Sequence, residues 1–525
     1  MGADFDYVIV GAGVAGTYAA WRLAEAGVPG SSIALYEMFD QAGGRLRSVS
    51  LPGLGGVRRA ELGAMAILPC QALLAALVEH LGLETTPFVP ADRLYYLRGK
   101  RLRPEDLLSP ERVPFQLEGG ERGKHPGALV FEALCKILPS GGALDEEAWT
   151  RVKDELQIGG LPLHALSIRN LLQTVLSPEA YRYAVDAIGF MDFFSGWNAA
   201  EALPWIFSVF STSPGAYALK DGYQALPVRL LERAMRLGVE FHPSHRLVRW
   251  EPTGSGEGDP LRLHLRAAGG DDKAVTAKNL ILAMPRQALE RIAMPENAEL
   301  PTLLASVTPR PAVKLFFGYE RVWWEGLGFR DGRVVTDLPL RQILFWGSNQ
   351  DGFFDADVAA TTLGVRNVKE HSLVMVSYAD GADAEFLPPL LAKASSAPFG
   401  VVERLDPADP AVRYLIREVH SQLELIQGTG SIPAPYTAAY AVWAGDPFGG
   451  AWNTWNAGVK PVEVAKKMRK PYPCFNVFVC GEAYAVRQAL VESALVTAER
   501  VLEEALCLPR PAWIPAQVGS DGSWS

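Results

Sequence analysis

The chain opens on a short apolar run, Tyr7–Val10, that passes directly into Gly11, Gly13 and Gly16. Few folds accommodate that spacing. Gly11 permits a tight turn, Gly13 lets backbone N–H groups approach a pyrophosphate, and Gly16 lets a helix lie close against the strand. A helical stretch follows from Thr17 to Ala26, with Gly27 placed to stop it. A second apolar strand, Ile33–Tyr36, ends in the acidic Glu37, where a carboxylate can accept ribose hydroxyls. The helix N-terminus adds unpaired N–H donors and partial positive charge for phosphates. Strand, glycine turn, helix, strand and acid in that order predict a dinucleotide-binding unit.

The remaining chain is far longer than such a unit needs. At 525 residues it has room for about two to four structural units. A net charge of −9 argues against a nucleic-acid partner, whose phosphates demand a basic face. No apolar run is long enough to span a bilayer. No signal-peptide pattern precedes the first strand, so no membrane partner and a cytoplasmic location are expected. The five cysteines (Cys70, Cys135, Cys474, Cys480 and Cys507) are scattered with no C-x-x-C pair, which disfavours a disulfide framework and a zinc site. His242 and His245 flank a turn-like Pro243 and Ser244 without a carboxylate to complete a metal set, and His264 sits on the polar face of an alternating strand.

Apolar spacing predicts a helix over 71–81 and a mostly helical stretch over about 105–215, broken at Pro139–Gly142, with one or two amphipathic helices in 164–190. Strands are predicted at Val239–Phe241, Arg246–Trp250 and Leu261–Arg266, linked by turn-rich pieces 253–260 and 268–273. Further strands follow at Asn279–Met284, Ala312–Tyr319, Gln342–Trp346, Leu373–Tyr378 and Val477–Cys480, and a final helix is predicted from Val491 to Ala505. The tail after Leu508 is rich in Pro, Gly and Ser. A nucleotide fold thus begins at one end, is interrupted, and resumes at the other.

Taken end to end, the chain resembles the flavin amine oxidase superfamily, and within it the L-amino acid oxidases, over roughly residues 5–505. The carriers are the glycine fingerprint with Glu37, then Gly43–Arg45, Glu61–Met65, Asp221–Leu226, Lys314 within Ala312–Phe317, Thr336–Arg341, Trp443–Gly450 and Cys480–Tyr484. The resemblance implies an α/β fold: a Rossmann-like FAD-binding domain built from discontinuous segments, a mixed β-sheet substrate domain and a helical insert. The implied division is 1–70, 219–300 and 441–507 for FAD, 71–104 and 301–440 for substrate, 105–218 for the insert, and 508–525 as tail. FAD would be held by Gly11, Gly13, Ala15, Gly16, Glu37, Gly44, Arg45, Gly63, Ala64, Met65, Val248, Gly481, Glu482 and Val491. Arg45 suits the pyrophosphate and Glu482 a ribityl hydroxyl, while the helix at Val491 would stabilise negative charge on the flavin. Lys314 would stand beside flavin N5 through a water, and Tyr378 would bond an amino acid carboxylate. No cysteine occupies residues 481–484, so noncovalent FAD is expected.

The departures fall on the substrate side. The family arginine after Gly-x-Met is Ala66 here, and the usual Gly-Trp before Val-Glu is Ala489 and Leu490. Leaving a substrate carboxylate buried without its arginine costs about 3–5 kcal/mol. Three explanations stand open: Arg487 is a relocated cation, the substrate lacks a free carboxylate, or Ala66 replaces a native arginine. Trp452 is expected to wall the pocket. The implied activity is hydride transfer from an amine or amino acid to flavin, giving an imine and then keto product, ammonia and hydrogen peroxide. Two alternatives remain: desaturation or oxidative decarboxylation of a larger intermediate, and flavin binding with decayed catalysis. The expected partners are the small-molecule substrate, molecular oxygen and a second copy of the chain in a homodimer; no metal is expected.

Overall fold

The computed structural model describes residues 3–54, 59–88, 92–140, 144–211, 215–254, 256, 258–346, 371–392, 397–428, 431–516 and 518. Gly141 and Gly142 of the expected helix break, parts of the 253–260 turn, and the end of the tail lie outside them.

Val8, Ile9 and Val10 and the whole of Ile33–Tyr36 are buried, as strands covered on both faces must be. They lie in a parallel sheet ordered Glu240–His242, Ile33–Tyr36, Phe5–Val10, the second half of Asp272–Leu282, and Val477–Val479. The first half of Asp272–Leu282 pairs antiparallel with Leu261–Ala267, which pairs with His245–Pro252. This strand therefore begins at Asp272 rather than Asn279, because the meander and the parallel sheet share it. In Leu261–Ala267 the leucines 261, 263 and 265 are fully buried while Arg262 and Arg266 are exposed.

Helices Val14–Glu25, Ala225–Arg236 and Val491–Arg500 share one core against this sheet. A buried ion pair joins the first to the last: Arg22 Nη2 lies 2.8 Å from Glu499 Oε1, and Tyr18 donates to Oε2 at 2.5 Å. Helix Ala72–Leu81 enters the same core through Leu73, Leu74, Leu77 and Leu81. The expected boundary at 71 placed it with the substrate sheet instead. The last helix ends at Arg500 and continues as a wider turn over Val501–Ala505.

The second sheet has eight strands in the order Phe399–Val402, Thr437–Val442, Ala312–Tyr319, Ser372–Asp380, Gln342–Trp346, Gly332–Thr336, Asp92–Leu97 and Lys100–Leu102. One pairing, Asp92–Leu97 with Gly332–Thr336, is parallel, and the rest are antiparallel. Ala312–Tyr319 is buried throughout: Val313, Leu315, Phe317 and Tyr319 fill a core on one face, and Phe316 packs on the other. Lys314 shares the Phe316 face by the two-residue period of a strand.

Between residues 126 and 211 lie helices Pro126–Ile137, Glu146–Glu155, Ile168–Leu172, Pro178–Ile188 and Ala199–Ser211 around a separate core that includes Val130, Leu134, Leu171, Tyr183, Leu203 and Ile206. The stretch 164–190 resolves into two helices, each opened by a serine cap: Ser167 accepts from Asn170 N and Ser177 from Ala180 N. Several hydrogen bonds bind this insert to the second sheet. Asp380 accepts from Met191 N (3.0 Å) and Asp192 N (2.9 Å), and buried Arg341 donates to Val185 O at 2.9 Å. Arg341, which ends the Thr336–Arg341 stretch that sets the resemblance toward amino acid oxidases, thus joins the sheet to the insert. No described helix is long and apolar enough to cross a membrane.

Candidate active site

A long cleft runs from the first glycine turn to the second sheet. Its floor is two facing turns. Gly11 adopts φ +103°, and a Cβ there would stand 2.5 Å from Ala283 O. Gly13 faces Gly44, whose φ is +58°, and Gly43 N donates to Ala12 O at 2.9 Å. Gly16 belongs to the first turn of helix Val14–Glu25 and does not line the cleft: a Cβ there would meet Gly11 O at 1.9 Å, so it serves packing. Glu37 accepts from Ala12 N at 2.7 Å and Phe39 N at 3.0 Å, which leaves capacity for further donors. Burial raises its pKa against the pull of those N–H groups.

Arg45 and Glu482, expected to serve different parts of the cofactor, meet each other. Arg45 Nη1 donates to Glu482 Oε2 at 2.9 Å and to Ala451 O at 3.0 Å. Glu482 also accepts from Asn453 N (2.8 Å), Asn453 Nδ2 (2.8 Å) and Ala489 N (2.9 Å). A carboxylate offers about four acceptor sites. Glu482 thus anchors Arg45, Asn453 and Ala489 while lining the cleft, and a ribityl hydroxyl would have to share or displace one of these donors. Ala489 sits at φ +69°, a left-handed conformation that suits the glycine usual there. Its N–H bond to Glu482 holds it so. Leu490 and Val491 line the cleft at the start of helix Val491–Arg500.

Lys314 reaches the cleft from the second sheet and is buried to 2% exposure. Its Nζ donates to Gly63 O (2.5 Å), Glu61 O (3.1 Å) and Met65 Sδ (3.4 Å), and lies 4.5 Å from the centroid of the Tyr378 ring. Tyr378 is directly opposite it on the neighbouring strand. Desolvation pulls the Lys314 pKa down to about 7, against the attraction of Glu61. Burial also pushes Glu61 up to about 7, although Ser48 Oγ and Tyr223 N donate to its carboxylate. Burial pushes the Tyr378 hydroxyl above its ordinary range.

The insert supplies residues that sequence reasoning missed. Phe193 stacks on Trp452 at 5.2 Å and Phe190 meets Tyr378 edge-on at 5.4 Å. No local pattern marks them, because their partners are some two hundred residues away. Trp452 lines the cleft, and its buried Nε1 has no hydrogen-bond partner.

Four expected positions fall elsewhere. Val248 does not line the cleft; it is the bulged residue of its strand, its carbonyl accepts from Ala293 N, and Leu247 lines the cleft instead. Met65 acts through Lys314 rather than on the cleft surface. The Ala66 carbonyl accepts from Tyr223 OH at 3.3 Å and the residue is not part of the lining. Arg487 lines a second, smaller cavity with Glu492 and Arg500, and its charge acts on Cys70 and Glu201; it is no relocated cation in the cleft.

The residues present fit a flavin dinucleotide. The two glycine turns leave no room for side chains where a pyrophosphate needs backbone N–H groups, and Arg45 and an unpartnered indole N–H line the same cleft. Such a cradle opening onto a buried lysine defines a flavin-dependent oxidoreductase. The chain belongs to the family of flavin-containing amine oxidoreductases, whose pattern matches residues 14–506. Aplysianin-A of Aplysia kurodai is 25% identical over 95% of this chain and 90% of its own length. Achacin of Lissachatina fulica is 24% identical over 95% and 92%. The L-amino acid oxidase bordonein-L of Crotalus durissus terrificus is 25% identical over 72% of this chain and 67% of its own. A redesigned putrescine oxidase superposes with TM-score 0.66 at 16% identity, covering 96% of this chain and 99% of that one, a likeness of fold. The α/β fold and the flavin cofactor expected from sequence are therefore shown.

Proposed function

We propose that the protein is an FAD-dependent oxidase that removes a hydride from the carbon bearing a neutral amine, leaving an imine for water to hydrolyse. FAD, held by the glycine turns and Arg45, would supply the hydride acceptor and the two-electron reduction of oxygen to hydrogen peroxide. The observation that carries this reading is Lys314: a buried amine on an apolar strand, aimed into the cleft and held by two carbonyls of the 61–65 loop. A lysine so placed can present positive charge, or a proton, where oxygen takes up electrons. Tyr378 and Trp452, backed by Phe190 and Phe193, wall the reaction space. The Val491 helix N-terminus turns its positive end to the same cleft. The L-amino acid oxidases among the relatives support an amine or amino acid as substrate. Anaerobic mixing of the flavin-loaded protein with amino acids and matching amines should bleach the flavin. If no amine or amino acid bleaches it, the reading falls.

A further inference from the structure

Both aromatic walls of the reaction space are backed from one short loop. The stretch 189–198 joins helices Pro178–Ile188 and Ala199–Ser211, and it carries Phe190 against Tyr378 and Phe193 against Trp452. Neither phenylalanine lines the cleft, so each reaches it through the ring it supports. Phe193 also stacks at 4.6 Å on Trp205, giving a pile of three rings that ends at the cleft with Trp452.

Two buried carboxylates fix that loop, one on the side of each wall. Asp380 follows Tyr378 by two residues and so shares the strand face that carries Tyr378 and Lys314. Both its oxygens are taken by the loop backbone, Oδ1 by Met191 N and Oδ2 by Asp192 N. Asp192 serves the other side. Its Oδ1 lies 3.6 Å from Arg310 Nη1, and Arg310 stands directly opposite Trp452 and donates through Nε to Thr454 Oγ1 at 2.6 Å. Ser195 Oγ and the Gly381 N–H also donate to Asp192. A Cβ on Gly196 would stand 3.0 Å from Arg310 Nη2, so the loop closes tightly over that arginine. Burial and the charge of Asp192 both disfavour an ionised Asp380. Such a pair of acids is costly unless it holds something in place, and what it holds is the segment behind both walls.

We propose that Asp380 and Asp192 are positioning residues: acting through Phe190 and Phe193, they fix the Tyr378 and Trp452 rings and so set the width of amine that the cleft admits. This rests on the reading that the cleft oxidises an amine. Hydrogen bonds from backbone N–H groups to a carboxylate are directional, whereas ring packing tolerates sliding, so the acids rather than the stack define where the walls stand. The two acids touch neither the cleft nor one another's wall, which separates their effect on substrate from that of Lys314 on oxygen.

The test labels the flavin-loaded protein with 5-fluorotryptophan and follows the Trp452 fluorine resonance, assigned by its loss in Trp452→Phe. Asp380→Asn leaves one acceptor where there were two, and should shift or broaden that resonance while Trp250, in a separate core, keeps its own. Glu499→Gln weakens the buried pair with Arg22, far from the loop in the fold, and should leave Trp452 unmoved. That control separates positioning from loss of stability alone. Among amines that reduce the flavin, Asp380→Asn should also shift the ratio of kcat/KM for a bulky over a small amine about ten-fold. Reaction of the dithionite-reduced variant with oxygen should stay as in the wild type. A Trp452 resonance or an amine ratio unchanged in folded Asp380→Asn overturns the proposal. If that variant does not fold, Asp192→Asn is held to the same two outcomes. Should no amine reduce the flavin, the oxidase reading falls by itself, and the fluorine spectra still decide whether the acids fix the Trp452 wall.

Discussion

Lys314 shows how one side chain is tuned by its surroundings. Two carbonyls, a thioether and an aromatic face favour its ammonium form, yet removal from water lowers its pKa to about 7. It therefore changes charge near neutrality. Reaction of the reduced enzyme with oxygen, followed by stopped flow, should slow as pH rises through about 7 and the proton leaves Nζ. Lys314→Met should remove that dependence and lower the oxygen rate constant by about 100-fold. A variant that keeps the wild-type pH profile would show that the lysine is not the titrating group. The lysine was legible in sequence because a charge inside an apolar strand demands an explanation. Glu482 was legible as a site residue, but not its partners, since nothing local announces that Arg45, Asn453 and Ala489 converge on it.

Elements are held together here by groups distant in sequence. Helix Ala72–Leu81 has no side-chain cap from Gln71; Glu492 accepts from Leu73 N at 2.8 Å and Leu74 N at 2.7 Å. The same glutamate lies in the first turn of its own helix, so one carboxylate serves two helix N-termini. Glu492→Ala orphans two buried donors and should destabilise the protein by roughly 2–4 kcal/mol, and Glu492→Gln by about half as much. Chemical denaturation midpoints measure this, and an unchanged midpoint for Ala would refute the cap. Strands Ala312–Tyr319 and Gln342–Trp346 begin and end where their apolar runs do. Asp272–Leu282 was half missed because its first residues are polar and exposed, and their strand state comes from pairing with Leu261–Ala267. The insert's contacts with Trp452 and Tyr378 were invisible for a related reason: tertiary packing leaves no periodic trace.

Across the whole molecule, buried acids set the response to pH. Glu61 and Asp380 are raised to about 7 and Glu492 to about 8, mainly by desolvation. Between their ordinary values and these, the folded chain holds protons that the unfolded chain has released. Their contribution is complete below the unfolded pKa and lost as pH rises through about 7 to 8. Lys314 opposes this above about 7, alone against three acids. Carboxylates lowered by ion pairs, such as Glu179 at about 2, lose stability only in acid, well below neutrality. Calorimetric melting should therefore give a lower midpoint at about pH 8.5 than at about pH 6; a rising midpoint would contradict the assignment. The shared strand Asp272–Leu282 has a consequence for biosynthesis. Phe5–Val10 emerges from the ribosome early, but one of its sheet neighbours lies beyond residue 270, and Val477–Val479 must follow before the parallel sheet is complete. At roughly 5–20 residues per second, the nascent chain waits tens of seconds with an apolar strand edge exposed. Aggregation during translation, and dependence on chaperones that shield such edges, are thus built into the order in which the strands are made.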